Sequence, residues 1–234
     1  VPGYAIPAVR IVRDRPAVVP YRSSAMRGLG AFTNVIALES LIESCAEVAG
    51  KEAISYRLEH LDDPRAVAVI ETVRDMARLQ PATDGIGFGL GYARYKNSAG
   101  YLACIARVVV EDEVRVTDVW SAGDVGEAIN PDGTINQIEG GIVQAISWAL
   151  KEEVYFSGGQ NLTQSWADYP ILKFSEVPRM VTKLIGPQDA GPLGAGEISS
   201  GPAGAAVVNA VRNALGVVPH RLPLSRHALV AMMS

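Results

Sequence analysis

Cysteine is scarce in this sequence: the 234 residues include 2, Cys45 and Cys104, far apart and outside any C-x-x-C pair. A disulfide framework is therefore not what organises the chain. With no histidine at ligand spacing to either thiol, a zinc site is not indicated, and both read as core thiols. Histidine is equally scarce, and His60, His220 and His227 are not spaced to share a metal. Charge is near balance, with 21 Lys and Arg against 25 Asp and Glu and no run of one sign, so the basic stripe that a nucleic-acid groove needs is not indicated. No apolar run reaches the ~20 residues of a membrane-spanning helix, because a charged residue interrupts each candidate. A soluble chain is expected. The G-x-S-x-G frame of a serine nucleophile does not occur.

What is present is a mass of 24.8 kDa, 48% apolar residues, 20% charged residues and a mean hydropathy of +0.15. That suffices for one large domain or two small ones with a real core, and it fits a surface partly covered by something else. The opening VPGYAIPAVR has no initiator Met, basic n-region or apolar h-region, and it reads as the interior of a longer polypeptide.

Prolines at 2, 7, 16 and 20 predict extended segments over 1–25. Apolar residues at three- and four-residue steps predict a helix over 33–48 stopped by Gly50, and a second over 63–79 with Asp63 as N-cap and Pro64 at its first position. The period then changes. In GIGFGLGY, Ile86, Phe88, Leu90 and Tyr92 alternate with Gly85, Gly87, Gly89 and Gly91, which predicts a strand with one bulky face and one bare face open to a close neighbour. YLACIARVVV and VRVTDVWSAG read as an antiparallel hairpin. A turn at Asn130-Pro131-Asp132-Gly133 precedes a helix over 134–150, in which Gly140-Gly141 implies a close approach. YPILKF and RMVTKLIG read as strands, and a closing helix over 201–215 takes Ser199 or Ser200 as cap. The fold class is α+β, a mixed and largely antiparallel sheet with packed helices, with a sub-division into 1–82 and 83–234.

Glu197 is the acid that needs explaining. It stands alone in GPLGAGEISSGPAGAAV, where glycines strip away neighbouring side chains and the following helix aims its N–H groups back at the same place. Apolar walls would raise its pKa toward working pH, as a general base requires, although a solvated loop glutamate is the plainer account. In YRSSAMRGLGAF, Arg27 with Gly28 and Gly30 offers a guanidinium and backbone N–H groups to a phosphate or carbonyl-rich ring, against the plainer account of a surface arginine beside a turn. The GIGFGLG ladder is not a dinucleotide fingerprint: position 90 is Leu, no helix opens there, and no acid follows at the needed distance.

Taken in order, AMRGLGAFTNVIALESLIE, VWSAGDVGEAINPDGTINQIEGGIVQAISWAL, DYPILKFSEVP and GAGEISSGPAGAAVVNAV resemble the C-terminal portion of the molybdenum-binding subunit of the xanthine oxidase family, nearest its isoquinoline 1-oxidoreductase branch. The likeness covers 21–224. It implies that Glu197 is the catalytic base of a molybdenum hydroxylase that oxidises an aldehyde or N-heterocycle with oxygen from water. It further implies that Arg27, Gly28, Gln144, Gly194, Ala195 and Gly196 face a molybdopterin in its cytosine dinucleotide form, and that the metal has no protein ligand.

Met26 and Leu29 flank Arg27-Gly28 where many relatives carry aromatics. Leu29 is thus placed on the substrate side of a pocket less suited to stacking flat rings. After Glu197, Ile198-Ser199-Ser200-Gly201-Pro202 replaces a common Pro-Pro.

The implied partners are another molybdopterin-binding chain or the remainder of the subunit, an iron–sulfur subunit carrying 2Fe-2S clusters, and an FAD or cytochrome subunit. The implied location is the cytoplasm, with the periplasm as alternative. Other pterin-binding segments of the family are missing, so the chain alone is expected to be inactive. The competing reading is a structural or assembly module without turnover.

Overall fold

In a computed structural model that describes residues 2–14, 17, 25–79, 81, 83–187 and 189–233, the glycine ladder forms the edge strand β1 (Ile86–Arg94). It pairs antiparallel with β2 (Tyr101–Val110), which pairs antiparallel with β3 (Val114–Asp124), with a register irregularity between Arg107 and Val108. The short hairpin β4 (Phe156–Ser157) and β5 (Gln160–Asn161) stands apart. Strand β6 (Arg179–Leu184) adds in parallel to β3, giving the order β1-β2-β3-β6. The sheet is mixed and mostly antiparallel, as the sequence predicts.

Period-two alternation divides β2 between two cores. Leu102, Cys104, Ala106 and Val108 face helices α4 (Pro131–Leu150) and α5 (Ser200–Leu215), whereas Tyr101, Ala103 and Ile105 face α3 (Pro64–Ala77). In β1 the split is sharper. Gly87, Gly89 and Gly91 lie directly beneath α5, where a Cβ on any of them would collide with the backbone of Ala210, Ala206 or Pro202. Only a bare strand face lets the alanine-rich α5 come this close. Helix α1 (Ala31–Val48) packs along α5, and Phe32 meets Trp148 of α4 edge-on at 5.2 Å.

Several boundaries differ from expectation. Asn130, predicted as a turn residue, caps α4 by accepting from Gly133 N–H, so that helix begins at Pro131. Helices α2 (Ala53–Glu59) and α6 (Arg226–Met233) are not predicted by the periodicity; α2 is started by the Glu52 carboxylate, which accepts from the N–H groups of Ile54 and Ser55. YPILKF is not a strand: Pro170 lacks an N–H, Leu172 N–H goes to Ser147 Oγ, and a single 3-10 turn follows at Phe174–Glu176. Among residues 2–14 no regular element forms; 15, 16 and 18–24, also predicted extended, lie outside the described residues, as does 82 at the predicted sub-division. No described helix is long and apolar enough to cross a membrane.

Candidate functional site

Four pieces of chain, the loop that carries Glu197 among them, come together at the site. The first is the loop entering α1, which turns sharply with Gly28 at φ +82° and Leu29 at φ +51°. A side chain at Gly28 would also run into Ser200 Oγ, so glycine is required there by both conformation and space. The turn is closed by Leu29 N–H donating to Met26 O at 3.0 Å and Ala31 N–H to Gly28 O at 2.9 Å. Its effect is to point the Gly28 N–H outward, where it donates to Glu197 Oε1 at 2.8 Å.

The second piece is the loop over residues 190–199. It is pinned by Leu193 N–H to Val125 O at 2.7 Å and by Gly100 N–H to Gly194 O at 3.0 Å. The third is Tyr95, just past the end of β1, whose hydroxyl donates to Glu197 Oε2 at 2.8 Å. The fourth is the first half of α4. Arg27 donates through Nε to Gly196 O at 2.8 Å and through Nη2 to Gln137 O at 2.9 Å, and Gln137 Nε2 donates to Gly196 O at 3.1 Å. Arginine and glutamine thus clip the glycine loop to the helix.

Gly141 explains half of the helical glycine pair. Its missing Cβ leaves room for Ser199 Oγ and for the Arg27 guanidinium, 3.0 Å from where that Cβ would stand, whereas Gly140 faces open space. Ser199 occupies the N-cap position of α5 but makes no capping bond; its Oγ is the buried side-chain oxygen left without a partner among the described residues. Ser200 Oγ instead reaches Glu197 O at 3.4 Å.

The carboxylate opens into a cavity of about 850 Å³ whose wall includes Gly28, Leu29, Tyr95 and Lys96, with the N-terminal segment across it. Glu197 is itself half-buried. Its pKa is lowered from the ordinary carboxylate value, first by the Gly28 N–H and then by the Tyr95 hydroxyl, against a burial penalty that exceeds the pull of the Lys96 or the Arg27 charge. This corrects the expected upward shift: the apolar walls are outweighed by two donors aimed at the anion. The donors also differ from expectation, being a loop N–H and a phenol and not the N-terminus of α5.

Of the residues singled out from sequence, Glu197, Gly196, Arg27 and Gly28 come into direct contact. Leu29 is half exposed on the cavity wall, and Gly194 and Gly196 are exposed on the same loop as Ala195. Among the described residues no hydrogen bond joins Gln144 to this group; Gln137, two turns earlier on the same helical face, makes the loop contact. Gln137 and Tyr95 are the residues that sequence reasoning missed. Gln137 shares the helical stripe of Gly141 and Gln144 and was findable from it, whereas no spacing signal marks Tyr95.

The molybdopterin cofactor-binding domain family model matches residues 6–178. The chain belongs to that family and is a molybdopterin-binding domain of the xanthine oxidase family. It is 34% identical to a nicotinate dehydrogenase subunit of Pseudomonas putida over 97% of this chain and 22% of that protein. With the beta subunit of isoquinoline 1-oxidoreductase from Brevundimonas diminuta it shares 34% identity over 98% of this chain and 30% of that protein. The chain thus spans less than a third of either relative. Quinoline 2-oxidoreductase from Pseudomonas putida 86 has the same fold, with a TM-score of 0.77 and 16% identity over 89% of this chain and 53% of that one. The family model ends before Glu197; the alignments to the two relatives extend over nearly the whole chain.

Proposed function

We propose that this chain is part of a molybdenum hydroxylase or dehydrogenase acting on an aldehyde or N-heterocycle, with water as oxygen source and Glu197 as general base. The observation that carries the reading is a single carboxylate that accepts from the Gly28 N–H and the Tyr95 hydroxyl and opens into a large cavity beside the Arg27–Gly28 turn. The names of the relatives, which act on nicotinate and isoquinoline, support the N-heterocycle class.

The residues present fit one wall of a pterin pocket. Residues 194–196 offer a nearly bare backbone, and Gly28 keeps the turn beside it free of a side chain. When bound, the molybdopterin centre would supply the two-electron redox chemistry. Arg27, Gly28, Gln144, Gly194, Ala195 and Gly196 would hold it, with Leu29 on the substrate side.

Glu197 then has one task, to take a proton from water at Oε1 or Oε2. Each oxygen already accepts one bond and keeps a second acceptor site for that proton. Like any ordinary carboxylate it is deprotonated at neutral pH, and its lowered pKa makes it a weaker base than the raised value the sequence predicts, so its contribution lies in its position beside the cavity. Arg27 acts by holding Gly196, and so the backbone beside the base, against α4.

In this reading the cofactor takes its cytosine dinucleotide form. Electrons leave through 2Fe-2S clusters of an iron–sulfur subunit toward an FAD or cytochrome subunit, in the cytoplasm or periplasm. The rest of the pocket comes from another molybdopterin-binding chain or further residues of the subunit. Glu197→Gln in the assembled complex tests the reading: turnover is expected to vanish with molybdenum content unchanged. Unaltered turnover would favour a structural or assembly module.

A further inference from the structure

Tyr95 has no place in the family resemblance, yet the chain around it is closely tied down. Its N–H donates to Gly100 O at 3.1 Å, and its carbonyl accepts from Ser98 and Ala99 N–H at 3.3 and 3.0 Å. The next two residues, Lys96 and Asn97, adopt left-handed φ values of 52° and 56°. Non-glycine residues rarely do so, and two in succession mark a tight turn that the bonds among Tyr95, Ser98, Ala99 and Gly100 hold in place. What it delivers is a buried phenol whose hydroxyl reaches Glu197 Oε2.

We propose that Tyr95 is a positioning residue for the reaction: its hydroxyl and the Gly28 N–H form a two-point clamp, one donor per oxygen, that fixes the plane of the Glu197 carboxylate toward the cavity. A carboxylate held at one oxygen swings about its last torsion; held at both, it cannot. The clamp works only if the phenol stays protonated. It does, since burial and then the bond to Glu197 push the Tyr95 pKa up to about 12.

The other charged groups around the carboxylate are few. Arg27 belongs to the Gly28 turn and is engaged with Gly196 and Gln137, and Lys96 sits 5.1 Å above the Tyr95 ring. Arg94 lines the cavity from β1, and Arg13 and Asp14 line it from the N-terminal segment. The direct donors to the Glu197 carboxylate among the described residues are Gly28 and Tyr95. Removing the phenol oxygen therefore removes half of the direct restraint.

This inference rests on Glu197 being the base, and the test separates the two. In the assembled complex, Tyr95→Phe is expected to move the acid limb of the kcat/KM profile to higher pH by about one unit, the size of one lost hydrogen bond to the anion. The infrared carboxyl band of Glu197, identified by its loss in Glu197→Gln, should titrate higher by the same amount. Molybdenum content should be unchanged. A more acidic phenol, 3-fluorotyrosine incorporated at position 95, should shift the band the opposite way, and it decides the matter alone if Tyr95→Phe fails to assemble.

An unmoved infrared midpoint overturns the clamp, as does a Tyr95→Phe complex changed only in KM. Full turnover in Glu197→Gln would instead remove the base assignment, while the band shift would still judge the clamp.

Discussion

Two glutamates in this molecule each accept a tyrosine hydroxyl and a backbone N–H, yet their surroundings give them opposite characters. Glu39 takes Tyr4 OH at 2.6 Å and Tyr92 N–H at 3.3 Å; Glu197 takes Tyr95 OH and Gly28 N–H, both at 2.8 Å. Glu39 is wholly buried between α1, α2 and β1, and Arg57, equally buried, reaches it at 3.0 Å and Glu43 at 2.8 Å. Burial pushes the Glu39 carboxyl up, against the pull of Arg57 and its hydrogen bonds. The same burial works against the Arg57 charge, but Glu39, Tyr4 and Glu43 outweigh it, so the guanidinium stays charged. The Glu39 and Arg57 side chains are fully enclosed, and their bonds join α1, α2 and β1. Glu197 has no arginine paired to it among the described residues and has an open side, so its charge is stabilised without being used up. The same acceptor geometry is structural when enclosed and chemical when it borders a cavity.

The comparison breaks most severely on the buried side. Arg57→Met leaves Glu39 charged and unpaired, and is expected to cost about 3–5 kcal/mol in denaturant unfolding of the complex. Glu39→Gln keeps the shape and part of the bonding and should cost about 1–3 kcal/mol, with turnover per folded complex unchanged. Glu197→Gln reverses that pattern. At this half-buried group Gln keeps the shape and one acceptor, so stability should fall by no more than about 1 kcal/mol while turnover is lost.

At the turn that serves Glu197, Gly28→Ala forces a left-handed alanine against Ser200 and should cost about 1–2 kcal/mol in the same unfolding measurement. It also tips the N–H away from the base. The smallest effect is on pH dependence. The folded pKa of Glu197 lies below its unfolded value, so its stabilisation is present above the ordinary carboxylate pKa and lost as pH falls through the folded one. The stability gap between wild type and Glu197→Gln should therefore narrow on acidification. Screening by solvent on its open side keeps that change slight.

The parts of this picture written in the sequence are those set by local period. The glycine ladder announces a strand with a close neighbour, and α5 lies against it. Asp63-Pro64 announces the start of α3, and the Asp63 carboxylate accepts from Arg65 N–H at 3.0 Å. The Arg27–Gly28 and Glu197 segments, 169 residues apart, do meet.

What the sequence hides are features that depend on tertiary pairing. The donors to Glu197 depend on the register that ends β1 at Arg94 and on the left-handed turn after Tyr95, neither of which has a motif. YPILKF misleads because its apolar residues are not burial signals: Ile171 is 48% and Phe174 96% exposed. Helix α2, with 7 residues, is too short to show a period and is declared by a glutamate cap that lies outside the usual set.

The account depends on Glu197 as the group that accepts the proton, and a single-turnover experiment addresses this most directly. The assembled complex would be mixed anaerobically with substrate, and the rate of reduction of its metal centre compared between wild type and Glu197→Gln. The account predicts a fall of about 10²- to 10⁴-fold, the usual contribution of a positioned base, at unchanged molybdenum content. Reduction at the wild-type rate would contradict it.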